Sequence, residues 1–236
     1  MIELVAETGS TNADLLARLR GGEHVTEGHW LRAESQSAGR GRQGRQWFDG
    51  RGNFMGSTVV HVSEGDPPAH TLALVAGLAV YEAVIGLCPD PARLRLKWPN
   101  DLLFGNAKLC GILLEGESRS VVVGIGVNLA VAPEIEGRET VALSTWGPVP
   151  DVSRFASNLA SAFGLELERW RTFGMEPLIR RWLAAGTPIG TALAVHEPDG
   201  STTHGSFAGL DNSGNMQLRL EDGSMRAIHA GDVMLA

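Results

Sequence analysis

The segment best suited to chemistry is residues 39–51, which begins with the sequence GRGRQGRQW. Its cations are Arg40, Arg42, Arg45 and Arg51. Against its single acid, Asp49, they give the segment a net charge of +3, whereas the whole chain carries −7 and the remainder therefore −10. Guanidinium groups bind phosphate or carboxylate oxygens through paired hydrogen bonds. A cationic, glycine-rich loop on an acidic protein predicts a site for one anionic ligand.

The glycines of this loop allow other interpretations. Gly39, Gly41 and Gly44 have the G-x-G-x-x-G spacing of dinucleotide-binding proteins, but that motif must open a helix and no helical pattern follows here. The G-x-x-x-x-G-K-[ST] pattern of phosphate-binding loops is absent from the sequence. A solvated surface loop remains the plain alternative.

A second polar group lies around residue 100. Asn100 and Asp101 follow a short strand and offer oxygen ligands that suit Mg²⁺. The alternative is an Asx turn, in which Asp101 only satisfies backbone donors. Lys108 opens an apolar strand, where its ammonium either enters a pocket or extends to solvent at the strand end.

A third feature is the segment GIGVN at residues 124–128. Gly124 and Gly126 lie in an apolar strand, where the close approach of a ligand or another backbone is the usual reason for glycine. Asn128 ends that strand, and a satisfied buried amide is the plain interpretation of it.

Helices and strands must position these residues. Thr11 and Asp14 have capping-box spacing at the start of a helix that ends at two glycines. Apolar strands at 109–115 and 121–129, joined by residues 116–120, predict a hairpin near the centre of a sheet. The other predictions are strands at 30–33, 53–62 and 94–97, helices at about 69–87 and 176–185, an irregular segment at 130–150, and a helix capped by Asp151 with an apolar stripe at residues 155, 159, 163, 167 and 170.

The sequence pattern changes after Gly186. Short alternating segments are separated by Asp199-Gly200, by residues 212–214 and by Asp222-Gly223, which are hairpin signals. Four or five short strands in about fifty residues predict a small barrel. We therefore predict a boundary near residue 185, with domains at 1–185 and 186–236.

Composition excludes several classes of protein. The acidic balance argues against nonspecific nucleic-acid binding, which needs a broad basic face. Cys88 and Cys110 have no metal-ligand spacing, so a reduced, cytoplasmic setting is expected. The N-terminus lacks the basic and apolar regions of a signal peptide. The most apolar run, residues 72–87, is too short and too interrupted for a membrane anchor, and we expect a buried helix there.

Five motifs, in order along the chain, resemble those of the biotin–protein ligases: Ser10-Thr11-Asn12, the GRGRQGRQW loop, KWPNDLL at 97–103, KLCGIL at 108–113 and GIGVN at 124–128. The resemblance covers essentially the whole chain. It implies the α+β fold shared with class II aminoacyl-tRNA synthetases, a mixed and largely antiparallel sheet with flanking helices, followed by an SH3-like barrel. Some bacterial members carry an N-terminal DNA-binding domain and act as repressors. Because the first motif begins at Ser10, we expect neither that domain nor DNA binding here.

The resemblance implies an activity in two steps. Biotin–protein ligases form biotinyl-5′-AMP and pyrophosphate from biotin and ATP, with Mg²⁺. They then transfer biotin to one lysine of a biotin carboxyl carrier domain, that of acetyl-CoA carboxylase or of another biotin-dependent enzyme. Two anions must be held together in the first step, which explains the need for cationic side chains.

Site residues follow from the resemblance by motif match. Arg40, Gly41 and Arg42 are expected to bind biotin and the activated phosphate. Lys108 is expected to lie between the biotin carboxylate and the α-phosphate, and with Arg42 and Asp101 it forms the expected catalytic set. The biotin ring side is assigned to Ser10, Thr11, Asn12 and Gln36. The nucleotide side is assigned to Asn100 and Asn128, and the metal to Asp101, which is also a candidate base for the acceptor lysine.

These motif residues all precede residue 130, so the C-terminal domain is expected to serve transfer more than biotin binding. Lipoate–protein ligase is a rival of similar fold, although its arginine–glycine loop differs. A noncatalytic RNA-binding module is a rival of another class, but Phe207 is the only Phe, Tyr or Trp ring after residue 186 on which a base would stack. The sequence leaves open the oligomeric state (monomer or homodimer), the order of substrate binding and the residue that stacks on adenine, for which Trp146 is a candidate.

Overall fold

A seven-stranded sheet organises the larger part of the chain in the computed structural model, which describes residues 1–197 and 200–235. Its strands are β1 (Ile2–Thr8), β2 (Trp30–Gln36), β3 (Phe54–His61), β4 (Leu94–Lys97), β5 (Asp101–Phe104), β6 (Ala107–Glu117) and β7 (Ser120–Val127). Their spatial order is β1-β2-β3-β7-β6-β5-β4. β1 and β2 are parallel and the other neighbouring pairs are antiparallel, so the predicted mixed, largely antiparallel sheet is confirmed.

The β6–β7 hairpin lies near the middle of this sheet, as predicted. The turn between the two strands is shorter than the predicted connection at 116–120, because Glu117 already pairs with Ser120. Ser118 adopts a left-handed conformation there, with φ of 53°. Both strands are apolar because they are covered on both faces.

Helices cover the two faces of the sheet: α1 (Thr11–Arg20), α2 (Leu72–Ile85), α3 (Val152–Phe173) and α4 (Met175–Ala185). α2 and α3 pack against each other over one face, which carries the main core. Leu15 and Leu16 of α1 pack on Leu31, Val59 and Val122. These strand positions alternate with those of the main core, so α1 lies on the opposite face.

The apolar stripe of α3 is buried as predicted: Phe155, Leu159, Phe163, Leu167 and Trp170. The carboxylate of Asp151 caps the helix by accepting a hydrogen bond from the Arg154 amide at 2.7 Å. The observed helix α2 is shorter than the predicted helix at 69–87, since it begins at Leu72 after a 3₁₀ turn at Ala69–Thr71.

Three local predictions were wrong or incomplete. The cap of α1 is Ser10, whose hydroxyl accepts from the Ala13 amide at 3.5 Å, while Asp14 bonds to Thr8; Thr11 and Asp14 therefore do not form a capping box. β1 is an edge strand with mostly partly exposed residues, so its sequence lacks a clear alternation. β5 begins at Asp101 directly after the Pro99 turn, where only a strand end was expected.

A second sheet holds the C-terminal strands β8 (Ala192–His196), β9 (Thr202–Leu210), β10 (Met216–Arg219), β11 (Met225–Ile228) and β12 (Asp232–Leu235). The order β11-β10-β9-β8-β12 is antiparallel throughout, so this C-terminal sheet has the upper of the two predicted strand numbers. Of the predicted turns, Asp199 lies outside the described residues. The Trp98 indole, in the turn after β4, donates to the Gly214 carbonyl at 3.1 Å, and Trp182 of α4 packs on Phe207 of β9, so the C-terminal sheet packs against the larger part of the chain.

Candidate active site

A cavity of about 950 Å³ opens between the large sheet, the loop at 39–51, the segment 133–140 and the C-terminal sheet. Every residue that the sequence assigned to the site lines it: Ser10, Thr11, Asn12, Gln36, Arg40, Gly41, Arg42, Asn100, Asp101, Lys108 and Asn128. The structure thus brings together residues that are more than a hundred positions apart in the chain. Their individual roles remain predictions.

One end of the cavity, which we call the neutral end, is lined by the hydrogen-bonded side chains of Thr11, Asn12, Gln36 and Ser57. Behind Asn12 lies the carboxylate of Glu115, which does not line the cavity and is 3.7 Å from Arg40 Nη1. Gln36 Oε1 accepts from the Thr11 amide at 2.8 Å and from its hydroxyl at 3.1 Å. The Ser57 hydroxyl lies 2.7 Å from Thr11 Oγ1 and donates to Asn12 Oδ1 at 2.6 Å. Asn12 Nδ2 donates to Glu115 at 2.8 Å. Because Ser10 caps α1, the first helical turn presents these polar groups at the sheet face.

Glycines make room for this arrangement. A Cβ on Gly124 would lie 2.2 Å from Asn12 Oδ1, and one on Gly126 would lie 2.3 Å from the Trp47 ring. Gly111 is also covered by Trp47, at 2.8 Å. The predicted close approach to this strand is therefore made by two side chains of the protein rather than by another backbone. The Trp47 indole nitrogen is buried and has no hydrogen-bond partner among the described residues.

The other end, which we call the cationic end, gathers charged side chains from two loop segments and from the ends of four strands: Arg42, Arg45, Lys97, Asp101, Lys108, Arg138 and Asp232. Arg42 donates to Asn100 Oδ1 at 3.1 Å and to the Gly231 carbonyl at 3.2 Å. Burial lowers the pKa of Arg42 from its ordinary value, with the charge of Asp101 opposing that shift. This cation is held at the cavity wall and is not a solvated surface group.

Lys108 is also turned inward. Its Nζ lies 2.6 Å from Asp101 Oδ1, an ion pair between side chains that are 16% and 9% exposed. It also lies 5.7 Å from the centre of the Trp47 ring. Lys97 Nζ approaches the other Asp101 oxygen at 3.7 Å, and burial lowers the pKa of Lys97. Asp101 thus holds two lysines, and extension of Lys108 to solvent is excluded.

The residues around Asp101 do not by themselves fit a metal site. Asp101 is engaged by two lysines, and Asn100 Oδ1 accepts from Arg42. Within residues 1–197 and 200–235, no group of three or more His, Cys, Asp or Glu side chains is arranged to hold an ion. A Mg²⁺ ion here would need most of its ligands from nucleotide phosphates and water.

The Asn128 side chain is a satisfied buried amide, as its position at the end of the strand suggested. Its Nδ2 donates to the carbonyls of Val141 at 3.2 Å and Lys108 at 3.4 Å, which ties β7 to the segment after residue 130. Trp146 packs on Phe104, with ring centres 4.2 Å apart. It is not among the residues that line the cavity.

Sequence reasoning missed several residues of the site: Arg45, Trp47, Ser57, Glu115, Arg138 and Asp232. The arginine and tryptophan of the loop stood inside the motif and were available to be chosen. Asp232 carried no signal, because it lies in β12, more than a hundred residues after the last motif at 124–128. His196 and Met234 of the same sheet also line the cavity, so the cavity extends beyond the motif residues, which all precede residue 130.

The fold is that of a known class of protein. The structure aligns with a biotin protein ligase from Aquifex aeolicus, solved in complex with biotin and ATP, with a TM-score of 0.86 and 25% sequence identity over 100% of this chain and 98% of that one. In the described residues, no helix combines the length and apolarity needed to cross a membrane.

Sequence comparison identifies the family. Residues 11–131 match the biotin/lipoate A/B protein ligase family, and residues 193–235 match the biotin protein ligase C terminal domain. A biotin–[acetyl-CoA-carboxylase] ligase of Paracoccus denitrificans is 38% identical over 227 residues, 92% of this chain and 93% of that protein. One from Mycobacterium tuberculosis is also 38% identical, over 99% of this chain and 88% of that protein. The chain belongs to the biotin/lipoate A/B protein ligase family, as the five motifs indicated.

Proposed function

We propose that this protein is an ATP-dependent biotin–protein ligase, which makes biotinyl-5′-AMP and transfers biotin to a lysine of a biotin carboxyl carrier domain. The observation that carries the proposal is one cavity with two chemically different ends. The neutral end suits a polar, uncharged ring, and the cationic end suits a carboxylate and a triphosphate held side by side. Relatives named biotin–[acetyl-CoA-carboxylase] ligase support the same substrates and acceptor.

In the first step, a carboxylate oxygen of biotin attacks the α-phosphorus of ATP, and the bond from that phosphorus to pyrophosphate breaks. The two reacting groups are both negative, so their approach is costly unless fixed positive charge lies beside them. Lys108, held at the cavity wall by Asp101, is in place to stabilise that charge. Arg40 and Arg42 supply further guanidinium donors from the loop.

At the neutral end, we assign Ser10, Thr11, Asn12 and Gln36 to the ureido ring of biotin. The buried hydrogen bonds of Thr11 to Gln36 and Ser57 fix the directions of these groups before ligand arrives. Asn128 and Asn100 are our candidates for the nucleotide side, although both already hold other groups of the protein.

In the second step, the acceptor lysine attacks the carbonyl carbon of the mixed anhydride, AMP leaves, and the amine gives up a proton. Asp101 is the candidate base, and its release from Lys108 would have to accompany that role. Exclusion of water protects the anhydride between the two steps.

Further assignments complete the proposal. The boundary near residue 185 would separate a catalytic domain, 1–185, from an SH3-like domain, 186–236. Mg²⁺ would arrive with the nucleotide, and a dependence of the rate on free Mg²⁺ would support it. Two unpaired thiols, Cys88 and Cys110, favour the cytoplasm. Sedimentation would decide between a monomer and a homodimer.

The experiment that tests the proposal is release of pyrophosphate from ATP, with biotin and lipoate as parallel substrates. We expect release with biotin and little with lipoate. Release with lipoate alone would make the protein a lipoate–protein ligase. Release with neither, together with calorimetric binding of RNA, would favour the RNA-binding alternative.

A further inference from the structure

Asp232 brings a carboxylate from the C-terminal sheet to the cationic end of the cavity. It begins β12, and its Oδ2 lies 2.8 Å from Arg45 Nη1 and 3.4 Å from Arg138 Nη2. The carbonyl of the preceding Gly231 accepts from Arg42 at 3.2 Å. Asp232 and the residue directly before the strand therefore contact three arginines from two other segments.

The charges explain why an acid is needed at this point. Asp232 interacts electrostatically with Arg42, Arg45, Arg138 and Lys97, and these cations repel one another in two pairs, Arg42 with Arg45 and Lys97 with Arg138. Burial raises the pKa of Asp232, but its hydrogen bond to Arg45 and the neighbouring cations outweigh burial and hold that pKa below its ordinary value. The carboxylate therefore stays ionised and offsets part of the repulsion among these cations.

Arg45 connects Asp232 to the rest of the 39–51 loop. Besides Asp232, its guanidinium donates to the Arg42 carbonyl at 3.3 Å and to Gln43 Oε1 at 3.2 Å. These bonds close the short turn at Arg42–Gly44, in which Gln43 is left-handed with φ of 57°. Asp232 thus holds the Arg45 guanidinium in place, and that guanidinium helps to hold the turn. That turn presents Arg42 to the cavity.

Two other roles are compatible with an ion pair at this place. The carboxylate could be a simple strut between the two sheets, or it could occupy the position of a phosphate and compete with ATP. The bonding of Arg45 argues against competition, because its Nε and Nη2 donate within the loop to the Arg42 carbonyl and to Gln43. A strut alone does not explain why the contacts converge on the arginine loop.

We propose that Asp232 is a positioning residue for the ATP-dependent step, which acts from the C-terminal sheet by holding the 39–51 loop in its folded turn. The inference rests on the proposed function for its substrates. It assigns to β12 a part in building the active site, and it predicts that the loop depends on this carboxylate even before ATP binds.

The test compares Asp232→Asn with Asp232→Glu and with Glu221→Gln, an exposed position after β10 that removes the same charge. For Asp232→Asn we expect a roughly three- to tenfold rise in KM for ATP, the scale of losing one or two partly exposed ion pairs. Biotin affinity without ATP should change by less than about twofold, since the neutral end is untouched. Asp232→Glu should restore most of the ATP affinity, and Glu221→Gln should resemble the wild type.

Limited trypsin cleavage after Arg42 and Arg45 gives a second measurement that needs no activity. We expect faster cleavage in Asp232→Asn than in Glu221→Gln, at equal thermal stability, and protection again in Asp232→Glu. If both the KM for ATP and the cleavage rate are unchanged in Asp232→Asn, the carboxylate only links the two sheets and does not position the loop. A lower KM for ATP in Asp232→Asn would show a competitor for phosphate. If the wild type itself proves inactive with biotin, the proposed function fails, while the cleavage rates still decide whether Asp232 orders the loop.

Discussion

The two ends of the cavity are built in different ways. The neutral end takes its side chains from α1, β2 and β3, with Glu115 of β6 behind them, and its hydrogen bonds of 2.6–3.1 Å link mostly buried groups on regular elements. The cationic end takes its side chains from the arginine loop, from the segment 133–140 and from the ends of strands β4, β5, β6 and β12. Several of its contacts are longer, at 3.1–3.7 Å.

This difference has a physical reason. Recognition of a neutral polar ring depends on the direction of hydrogen bonds, which rigid elements hold best. Stabilisation of anions depends on charge at short range, and long side chains on loops deliver charge while still allowing entry and release. We therefore expect changes at the neutral end to affect affinity for biotin and changes at the cationic end to affect the rate of the ATP-dependent step.

The largest effect is expected at the cationic end, for Lys108→Ala. Formation of the adenylate should fall by about two orders of magnitude or more, the scale for losing one fixed charge stabiliser. Single-turnover pyrophosphate release measures it, with Arg95→Ala as a charge-matched control on the exposed side of β4. Near-normal release in Lys108→Ala would remove this lysine from the reaction.

A substitution in the floor of the cavity should come next. In Gly126→Ala the new methyl group would stand 2.3 Å from the Trp47 ring, so the ring must move. We expect biotin binding to weaken by roughly 1–3 kcal/mol, as when a methylene is forced into packed surroundings. Gly116→Ala on the neighbouring strand β6 is the matched control, since nothing lies within 4 Å of a Cβ there. Equal biotin affinities, measured by calorimetry, would show that Trp47 does not border the ligand.

The neutral end is tested by Thr11→Val, which keeps the shape of the side chain and removes its hydroxyl. Gln36 and Ser57 each lose a partner, so biotin affinity should fall by roughly 0.5–1.5 kcal/mol, the usual net value of a hydrogen bond. Calorimetry without ATP measures this loss. Ser161→Ala on the exposed side of α3 is a control for removing a hydroxyl.

The smallest effect is expected outside both ends. Glu3 binds Arg18 through two hydrogen bonds of 2.7 and 2.8 Å, and this pairing lowers the pKa of Glu3 from 4.5 to about 2. A lowered folded-state pKa means that the stabilisation is complete above pH 4.5 and is lost as the pH falls toward 2.

Glu3→Gln should therefore reduce the free energy of unfolding slightly at pH 7, and the difference from the wild type should shrink below pH 4.5. The effect is small because the Glu3 side chain is 33% exposed. Urea unfolding at pH 3 and pH 7 provides the measurement, and biotin affinity at pH 7 should be unchanged. A difference that grows in acid would contradict the assigned direction of the pKa.

The same contrast explains what the sequence could predict. Local patterns located the helices, the central hairpin and the five C-terminal strands, because burial leaves a periodic record of apolar residues. They failed for β1, a partly exposed edge strand, and for β5, which starts at a polar residue after a turn. Both lack the alternation that marks a strand.

The site divides in a similar way. Residues inside motifs, such as Thr11, Arg42 and Lys108, were found because several short patterns occurred in one order. Ser57 and Asp232 were missed because their importance depends only on what the fold places next to them. No local pattern records that Asp232 lies beside an arginine from position 45.

The central claim, that recognition and charge stabilisation belong to separate ends of one cavity, is tested most directly by measuring both quantities in both variants. The measurement is biotin affinity without ATP and the pyrophosphate-release rate at saturating biotin, each in Lys108→Ala and in Thr11→Val. The account predicts that Lys108→Ala loses about a hundredfold or more in rate but only roughly tenfold in biotin affinity, the scale of one charged hydrogen bond, whereas Thr11→Val loses affinity and reacts within about threefold of the wild type. If each variant instead loses affinity and rate to the same extent, the two ends act as one unit and the division is wrong.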